Sequence, residues 1–237
     1  MTPRLSLVIP VFNEAGNIAP LIASAVAVLG GLARPYEIIV VNDGSTDGTA
    51  AEIAAAAARW PECSELRLER NQGQATALLA GLRAARGAIL LTMDGDGQND
   101  PRDFPVLLAA VESGELDLAC GWRRDRQDSA LRRAMSRLAN VIHRAVLADG
   151  VHDAGCQLRA FRREVVTALE PMELLQSFLP ALVAGAGFRV GEFPVRHHAR
   201  RHGDSKYGLG QLWWRPALAM LRLRWRRGRA GRKGPAA

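Results

Sequence analysis

The run AILLTMDGDGQNDP, residues 88–101, carries the first chemistry of the chain: an apolar stretch that reads as a buried strand ends in Asp94, Asp96 and Asp100, with glycines between them. Unpaired carboxylates at the end of a core strand are costly, so a positive partner is expected there. Asp94 and Asp96 are separated by one residue, and in an extended turn both carboxylates reach one hard divalent cation that also binds phosphate oxygens. Gly95 and Gly97 let the backbone approach a bulky ligand without a Cβ in the way. An EF-hand loop is excluded, because its sixth and twelfth positions, counted from Asp94, hold Asn99 and Pro105 instead of Gly and Glu. Plain turn chemistry is the competing reading of this loop.

A second polar loop, NDGSTDGT at residues 42–49, ends one apolar run and opens a helical one. Backbone N–H groups and hydroxyls at such a place could meet phosphate. The loop lacks both the Lys of a Walker loop and G-x-G-x-x-G spacing, so neither a P-loop nor a dinucleotide fingerprint applies. Asp43 is suited to accept hydrogen bonds from a base or ribose, whereas Ser45 and Asp47 are equally well explained as turn and helix-cap residues. The five histidines, two of them adjacent at His197 and His198, show no zinc spacing.

These loops need a frame. Up to residue 118 strand-like and helix-like runs alternate: LSLVIPV, EIIVV, ELRLE, AILLTM and DLACGW are strands, and NIAPLIASAVAVL, TAAEIAAAAARW, QATALLAGLRAAR and PRDFPVLLAAVE have helical apolar spacing. Such alternation implies right-handed βαβ units and a parallel sheet covered on both faces. Four strands are followed by the polar segments FNEAGN, NDGSTDG, RNQGQ and DGDGQND. Loops after strand C-termini line the ligand crevice of an open parallel sheet, so four loops are expected to converge on one cleft. Beyond residue 118 come a basic helix, SALRRAMSRLANVIHRAVL, a turn, DGVHDAGC, a strand, QLRAF, two short helical pieces, a strand, RVGEFPVRH, and a basic loop.

Charge divides the chain. Residues 1–118 hold 8 Lys and Arg against 15 Asp and Glu; residues 119–237 hold 23 against 9. A basic half joined to an acidic half implies an anionic partner, which nucleic acid, a membrane surface or a phosphorylated substrate would satisfy. Cys63, Cys120 and Cys156 are odd in number and lack C-x-x-C spacing, so buried, reduced thiols are expected in a cytoplasmic protein. The first strand pattern begins within five residues of the N-terminus, leaving no room for a signal peptide, and no apolar run reaches the ~18 residues of a membrane span. The terminal segment sets Leu212, Trp213, Trp214, Leu218, Leu221 and Trp225 among seven arginines between Arg215 and Arg232. It reads either as an interfacial helix on anionic lipid or as a core-docked helix with a solvated basic tail.

The motifs LVIPVFNE, IIVVNDGSTDGT, RNQGQATAL and MDGDGQNDP, in this order and spacing, resemble the family 2 glycosyltransferases. In the second half CGWRRDRQDSALRRAMSRLAN, DAGCQLRAFRR, FLPAL and PVRHHARRHGDSKYG resemble the polyprenyl-phosphate glycosyltransferases of the dolichyl-phosphate mannose synthase and undecaprenyl-phosphate group. The resemblance covers residues 4 to 210 and implies an α/β GT-A fold: Rossmann-like, with a mostly parallel central sheet and helices on both faces. It divides the chain into a glycosyltransferase domain over 1–210, with a nucleotide-sugar half (1–118) and an acceptor half (119–210), and the basic segment 211–237. The implied activity is inverting transfer of a hexose from a GDP- or UDP-linked sugar to a polyprenyl phosphate. The place would be the inner face of the cytoplasmic membrane, bound peripherally to its anionic surface, with no nucleic acid involved. The alternatives are a saccharide acceptor in envelope polysaccharide synthesis and, from another class, a non-catalytic nucleic-acid binder.

By position, the resemblance puts Pro10, Phe12, Glu14 and Asp43 on the nucleoside, and Asp94, Asp96 and Gln98 around Mg²⁺ or Mn²⁺ and the diphosphate. Arg123 falls near the donor, Arg132 and Ser136 on the lipid phosphate, and Asp153 facing the acceptor or orienting a clamp arginine. Arg200, Ser205 and Lys206 match a mobile loop that closes on the pyrophosphate. Two departures from the pattern are Ala154, where relatives have Thr in DTGC, and LLQSFLPAL, where they carry an apolar-His-Arg-Phe run. A phosphomonoester with a second pKa of about 6 is largely a dianion near neutral pH and already nucleophilic. The site therefore needs no strong base; it must hold two anions together with a metal and Arg or Lys clamps.

Overall fold

The structure, a computed structural model, describes residues 3–124 and 150–199. Seven strands form one sheet: β1 (Leu5–Val11), β2 (Tyr36–Asn42), β3 (Cys63–Arg67), β4 (Ile89–Thr92), β5 (Leu118–Trp122), β6 (Arg159–Arg162) and β7 (Val190–Pro194), in the order β3-β2-β1-β4-β6-β5-β7. Between them lie α1 (Ile18–Gly31), α2 (Thr49–Arg59), α3 (Gln74–Ala84), α4 (Phe104–Glu112) and α5 (Leu175–Gly185), with 3₁₀ turns at Pro101–Asp103 and Arg163–Ala168.

The strands read as continuous apolar runs because both of their faces are buried. Leu5, Leu7, Ile9, Val11, Ile38 and Val40 join the apolar side chains of α1, α2 and α4 in one cluster. Val8, Ile39, Val41 and Leu90 join those of α3 and α5 in another. Each fully buried Leu or Ile contributes about 1.5–3 kcal/mol, so the two layers fix the sheet and with it the loops at its edge.

β1 pairs in parallel with β2 and β4, β2 with β3, and β5 with β7. The sheet is mostly parallel, as expected, and its antiparallel member is β6, which enters between β4 and β5 and runs antiparallel to both. It belongs to the second half, where the strand–helix alternation that dictates parallel crossovers has ended. β3 begins two residues earlier than the ELRLE run, because Cys63 pairs with Ile38. All three cysteines are buried free thiols.

At the edge of the sheet away from the loops, Glu37 is held by Ser6 Oγ (2.6 Å) and by Arg86 through its backbone N (2.7 Å), Nε (2.9 Å) and Nη2 (2.6 Å). Burial works to raise the Glu37 pKa, but the bonds from Ser6 and Arg86 outweigh it and the net shift is downward. No helix among the described residues is long and apolar enough to cross a membrane.

Candidate active site

The four polar loops meet at the C-terminal ends of β1, β2, β3 and β4. The loop after β2 is used largely as a brace for the loop after β1. Ser45 Oγ accepts from Asn13 N (3.0 Å), Thr49 Oγ1 from Glu14 N (2.8 Å) and Asp47 Oδ2 from Ala15 N (3.2 Å), while Asn13 Oδ1 accepts from Thr46 N (2.8 Å). Asp47 Oδ1 also takes Thr49 N (3.0 Å) at the start of α2, so Asp47 acts as a turn residue there, whereas the N-cap position is Gly48 and the Ser45 hydroxyl is spent on Asn13 and not on the helix. The loop after β3 lies directly over Gly44, whose φ is +69° and where a Cβ would fall 2.5 Å from the backbone carbon of Arg70. Asp43 secures that loop: its two carboxylate oxygens accept Gln72 N (2.8 Å) and Gly73 N (2.9 Å). Asp43 therefore shapes the cleft it also lines.

The loop after β4 carries the two carboxylates of the sequence motif. Asp94 Oδ1 accepts from Gln74 Nε2 (2.7 Å), and Asp94 N donates to Asn99 Oδ1 (3.1 Å). Asp96 Oδ1 accepts from Gln98 N (3.1 Å), and Gln98 Nε2 donates to His198 O (3.3 Å). Gly95 is required by the protein itself: a Cβ there would lie 2.5 Å from Val11 Cγ1, so the loop is seated on β1. Gly97 has φ +73° with open space beside it, so its need is conformational.

A cleft of about 410 Å³ opens here, and Pro10, Phe12, Glu14, Asp43, Asp94 and Asp96 all line it. Six sequence-selected residues are thus brought together, with Gln98 on the same loop as the last two. Among the described residues no group of three or more His, Cys, Asp or Glu is placed to enclose a metal. Two carboxylates on one short turn suit a hard cation that takes its remaining oxygens from a diphosphate and water, so the donor set fits Mg²⁺ or Mn²⁺ shared with a ligand. Sequence reasoning did not single out Asn71 and Gln74, which also line the cleft. Their signals were membership of the polar RNQGQ loop and of the RNQGQATAL motif, neither of which gave them individual roles.

Beside the cleft, Asp153 and Arg123 form a buried pair. Asp153 Oδ2 accepts from Arg123 N (3.2 Å) and Nε (2.8 Å), and Oδ1 from Nη2 (2.9 Å). Burial opposes the Arg123 charge, but the hydrogen bonds and charge of Asp153, with smaller contributions from Cys156 and Asp94, raise its pKa well above the usual value. The turn bearing Asp153 is held from β7 by Glu192, which accepts His152 N (2.6 Å) and Asp153 N (2.8 Å). The His152 ring stacks on Trp122, the neighbour of Arg123, at 5.0 Å between centroids. Cys156 is fully buried, and burial above all pushes its thiol up to about 11, so it stays protonated at neutral pH.

Arg159 ties this turn to α5. Its fully buried Nη2 donates to Ala154 O (2.9 Å) and Gln176 O (2.7 Å), and Gln157 Nε2 reaches the same Gln176 carbonyl at 3.3 Å. Pro180, four residues on inside α5, has no N–H to offer that carbonyl, so these side chains supply donors the helix does not. The two departures noted in the sequence, Ala154 and the Gln176 segment, are therefore joined by one guanidinium. Arg132, Ser136, Arg200, Ser205, Lys206 and the Trp/Arg-rich terminal segment lie outside the described residues.

Comparison with known proteins gives this arrangement its place. Residues 6–169 match the model of glycosyl transferase family 2. The chain is 41% identical over 216 residues to the dodecaprenyl-phosphate galacturonate synthase of Rhizobium johnstonii, covering 89% of this chain and 63% of that protein. It is 39% identical over 210 residues to an undecaprenyl-phosphate 4-deoxy-4-formamido-L-arabinose transferase of Edwardsiella ictaluri, covering 88% of this chain and 64% of that one. The chain thus spans a little under two thirds of the length of these relatives. Among solved structures, glucosyl-3-phosphoglycerate synthase from Mycobacterium tuberculosis, in complex with Mn²⁺, UDP and glucosyl-3-phosphoglycerate, superposes with a TM-score of 0.71 at 21% identity, over 94% of this chain and 80% of that one. The mannosyltransferase PcManGT from Pyrobaculum calidifontis, with GDP-Man and Mn²⁺, gives 0.63 at 23% identity, over 100% and 66%. The likeness to these structures identifies the fold as GT-A, and with the family match over most of its length the chain belongs to glycosyl transferase family 2.

Proposed function

We propose that the protein is a metal-dependent glycosyltransferase that moves a sugar from a nucleoside diphosphate to the phosphate of a polyprenyl phosphate. The observation that carries this reading is the acidic cleft of about 410 Å³ in which Asp94 and Asp96 share a wall with Glu14 and Asp43. Four carboxylates repel a bare diphosphate, so a cation must accompany the ligand. Phe12 and Pro10 offer the apolar surface and Asp43 the acceptor that a nucleoside needs. The two relatives are named for polyprenyl-phosphate acceptors and for a galacturonate and a formamido-arabinose, which supports the lipid-phosphate acceptor and widens the sugar beyond a plain hexose. The two solved structures carry UDP in one case and GDP-mannose in the other, so both bases remain in the proposal.

When bound, Mg²⁺ or Mn²⁺ supplies charge neutralisation to the leaving diphosphate. The chain's own residues do the rest. Asp94 and Asp96, set by Gln74, Asn99 and Gln98, present oxygens from a fixed turn. Asp153 orients Arg123, whose guanidinium adds positive charge beside the donor. Arg132 and Ser136 take the acceptor phosphate, and Arg200, Ser205 and Lys206 close on the pyrophosphate. In-line attack by the phosphate dianion inverts the anomeric centre, with no general base required. Residues 1–210 form the transferase domain, and the Trp/Arg-rich segment 211–237 lies on the anionic inner face of the cytoplasmic membrane.

The test is calorimetric titration of UDP and GDP with Mn²⁺, in the wild type and in Asp96→Asn. Metal-dependent binding of one nucleotide, weakened at least about tenfold by the substitution, is expected. Binding that ignores both the metal and Asp96 would overturn the donor-site assignment.

A further inference from the structure

The loop that carries Asp94 and Asp96 does not hold its shape alone. Residues 97–100 run beside residues 196–198, the stretch that follows β7, about a hundred positions away in sequence. Asn99 and His197 form an antiparallel bridge. His198 N donates to Gln98 O (2.9 Å), and Gln98 Nε2 returns a bond to His198 O (3.3 Å). Behind this ladder His198 Nε2 meets Asp100 Oδ2 at 2.9 Å. Arg196 donates its backbone N to Asp103 Oδ2 (2.7 Å), and its guanidinium lies 3.0 Å from Asp103 Oδ1 and 3.7 Å from Asp100 Oδ2.

The residues gripped by this segment are the ones that aim the two carboxylates. Gln98 N donates to Asp96 Oδ1, and Asn99 Oδ1 accepts from Asp94 N. A displacement of 196–198 is therefore passed through residues 98 and 99 to both Asp94 and Asp96. Asp100 and Asp103 are buried with Asp100 3% exposed, whereas Arg196 and His198 are about half exposed, at 52% and 47% of their side chains. The acidic ends of the contacts are thus fixed in the fold, and the basic ends are the removable ones.

We propose that Arg196 and His198 are positioning residues for the metal turn: by docking residues 196–198 on Gln98, Asp100 and Asp103, they set the separation and direction of the Asp94 and Asp96 carboxylates and so the affinity for the divalent cation. This rests on the donor-site reading above, because it takes those two carboxylates as the metal ligands. Neither residue touches metal or substrate in this proposal.

The experiment titrates Mn²⁺ into the full chain with UDP present, and with GDP in parallel, following the free Mn²⁺ signal by electron paramagnetic resonance. Four proteins are compared: wild type, Arg196→Ala/His198→Ala, Arg196→Lys and Arg189→Ala. Arg189 pairs with Asp117 in an exposed contact elsewhere on the sheet and serves as the control for loss of a surface ion pair. The double variant should bind Mn²⁺ about tenfold more weakly, as expected when groups that hold metal ligands in place are removed. Arg196→Lys should recover most of the affinity, Arg189→Ala should match wild type, and nucleotide affinity without metal should not change. If the double variant fails to fold by circular dichroism, Arg196→Ala alone is measured, with weaker Mn²⁺ binding still required. Wild-type Mn²⁺ affinity in a folded variant overturns the positioning role while leaving the donor site standing. Failure of the wild type to bind Mn²⁺ with either nucleotide overturns the donor site itself.

Discussion

Replacing Asp153 by Asn tests the buried pair that holds the Arg123 guanidinium in place. The Asp153 carboxylate is 4% exposed and the Arg123 side chain 12%. Three N–H groups of Arg123 converge on the carboxylate at 2.8, 2.9 and 3.2 Å. Asparagine has nearly the same volume, but it offers one acceptor oxygen where two are used and points an NH₂ at a guanidinium. Removing one partner of a buried pair costs about 3–5 kcal/mol, because the other charge stays buried. The lower end applies, since one oxygen still accepts, and about 3 kcal/mol corresponds to a fall of about 6–12 °C in melting temperature for a chain of this length. Thermal melts by circular dichroism read that directly. A double-mutant cycle with Arg123→Met should return a coupling above about 1 kcal/mol. Because Asp153 orients Arg123 and lies outside the nucleotide cleft, Mn²⁺-dependent nucleotide binding should persist while sugar transfer falls about 100-fold, the scale of a misplaced catalytic group. A melting temperature within about 2 °C of wild type would refute the claim that the pair is buried and structural.

Gly95→Ala drives a Cβ to within 2.5 Å of Val11 Cγ1, so the turn bearing Asp94 and Asp96 must lift from β1; a loss of about 1–3 kcal/mol in urea unfolding, together with weaker metal-dependent nucleotide binding if those two carboxylates hold the metal as proposed, should follow. Full stability in that variant would mean the turn is not seated on β1. Glu37→Gln probes the far edge of the sheet. The folded Glu37 pKa lies below its unfolded value of about 4.3, so its stabilisation is fully present above that pH and lost as pH falls through the folded value. The variant should be less stable than wild type by about 1–2 kcal/mol at neutral pH, with a gap that narrows once the pH drops below about 4. A gap that stays constant on acidification would show that the ionised carboxylate is not what Ser6 and Arg86 hold.

Much of residues 1–118 was legible in the sequence because its information is local. Strands such as Leu5–Val11 are buried on both faces and carry unbroken apolar runs, and each helix has its own periodic stripe. Parallel topology then forces the loops after β1, β2, β3 and β4 to one edge, so those four loops could be assigned to one cleft from the sequence; the family resemblance then picked out Pro10, Phe12, Glu14 and Asp43, and Asp94 and Asp96 stood out as paired carboxylates. The tertiary structure alone decided what long-range contacts decide. The antiparallel insertion of β6 has no signature in its four residues, Arg159–Arg162. Gly95 read as room for a ligand and turned out to be room for Val11. Gln74 was one polar residue in a turn until folding placed its amide 2.7 Å from Asp94. Pro180 marked only a helix, yet the Gln176 carbonyl to which it offers no N–H is where Arg159 anchors the Asp153 turn. A side chain's type and spacing state what chemistry it can do; which partner it meets from a hundred residues away is set by how the layers pack, and that is written in no single stretch of the chain.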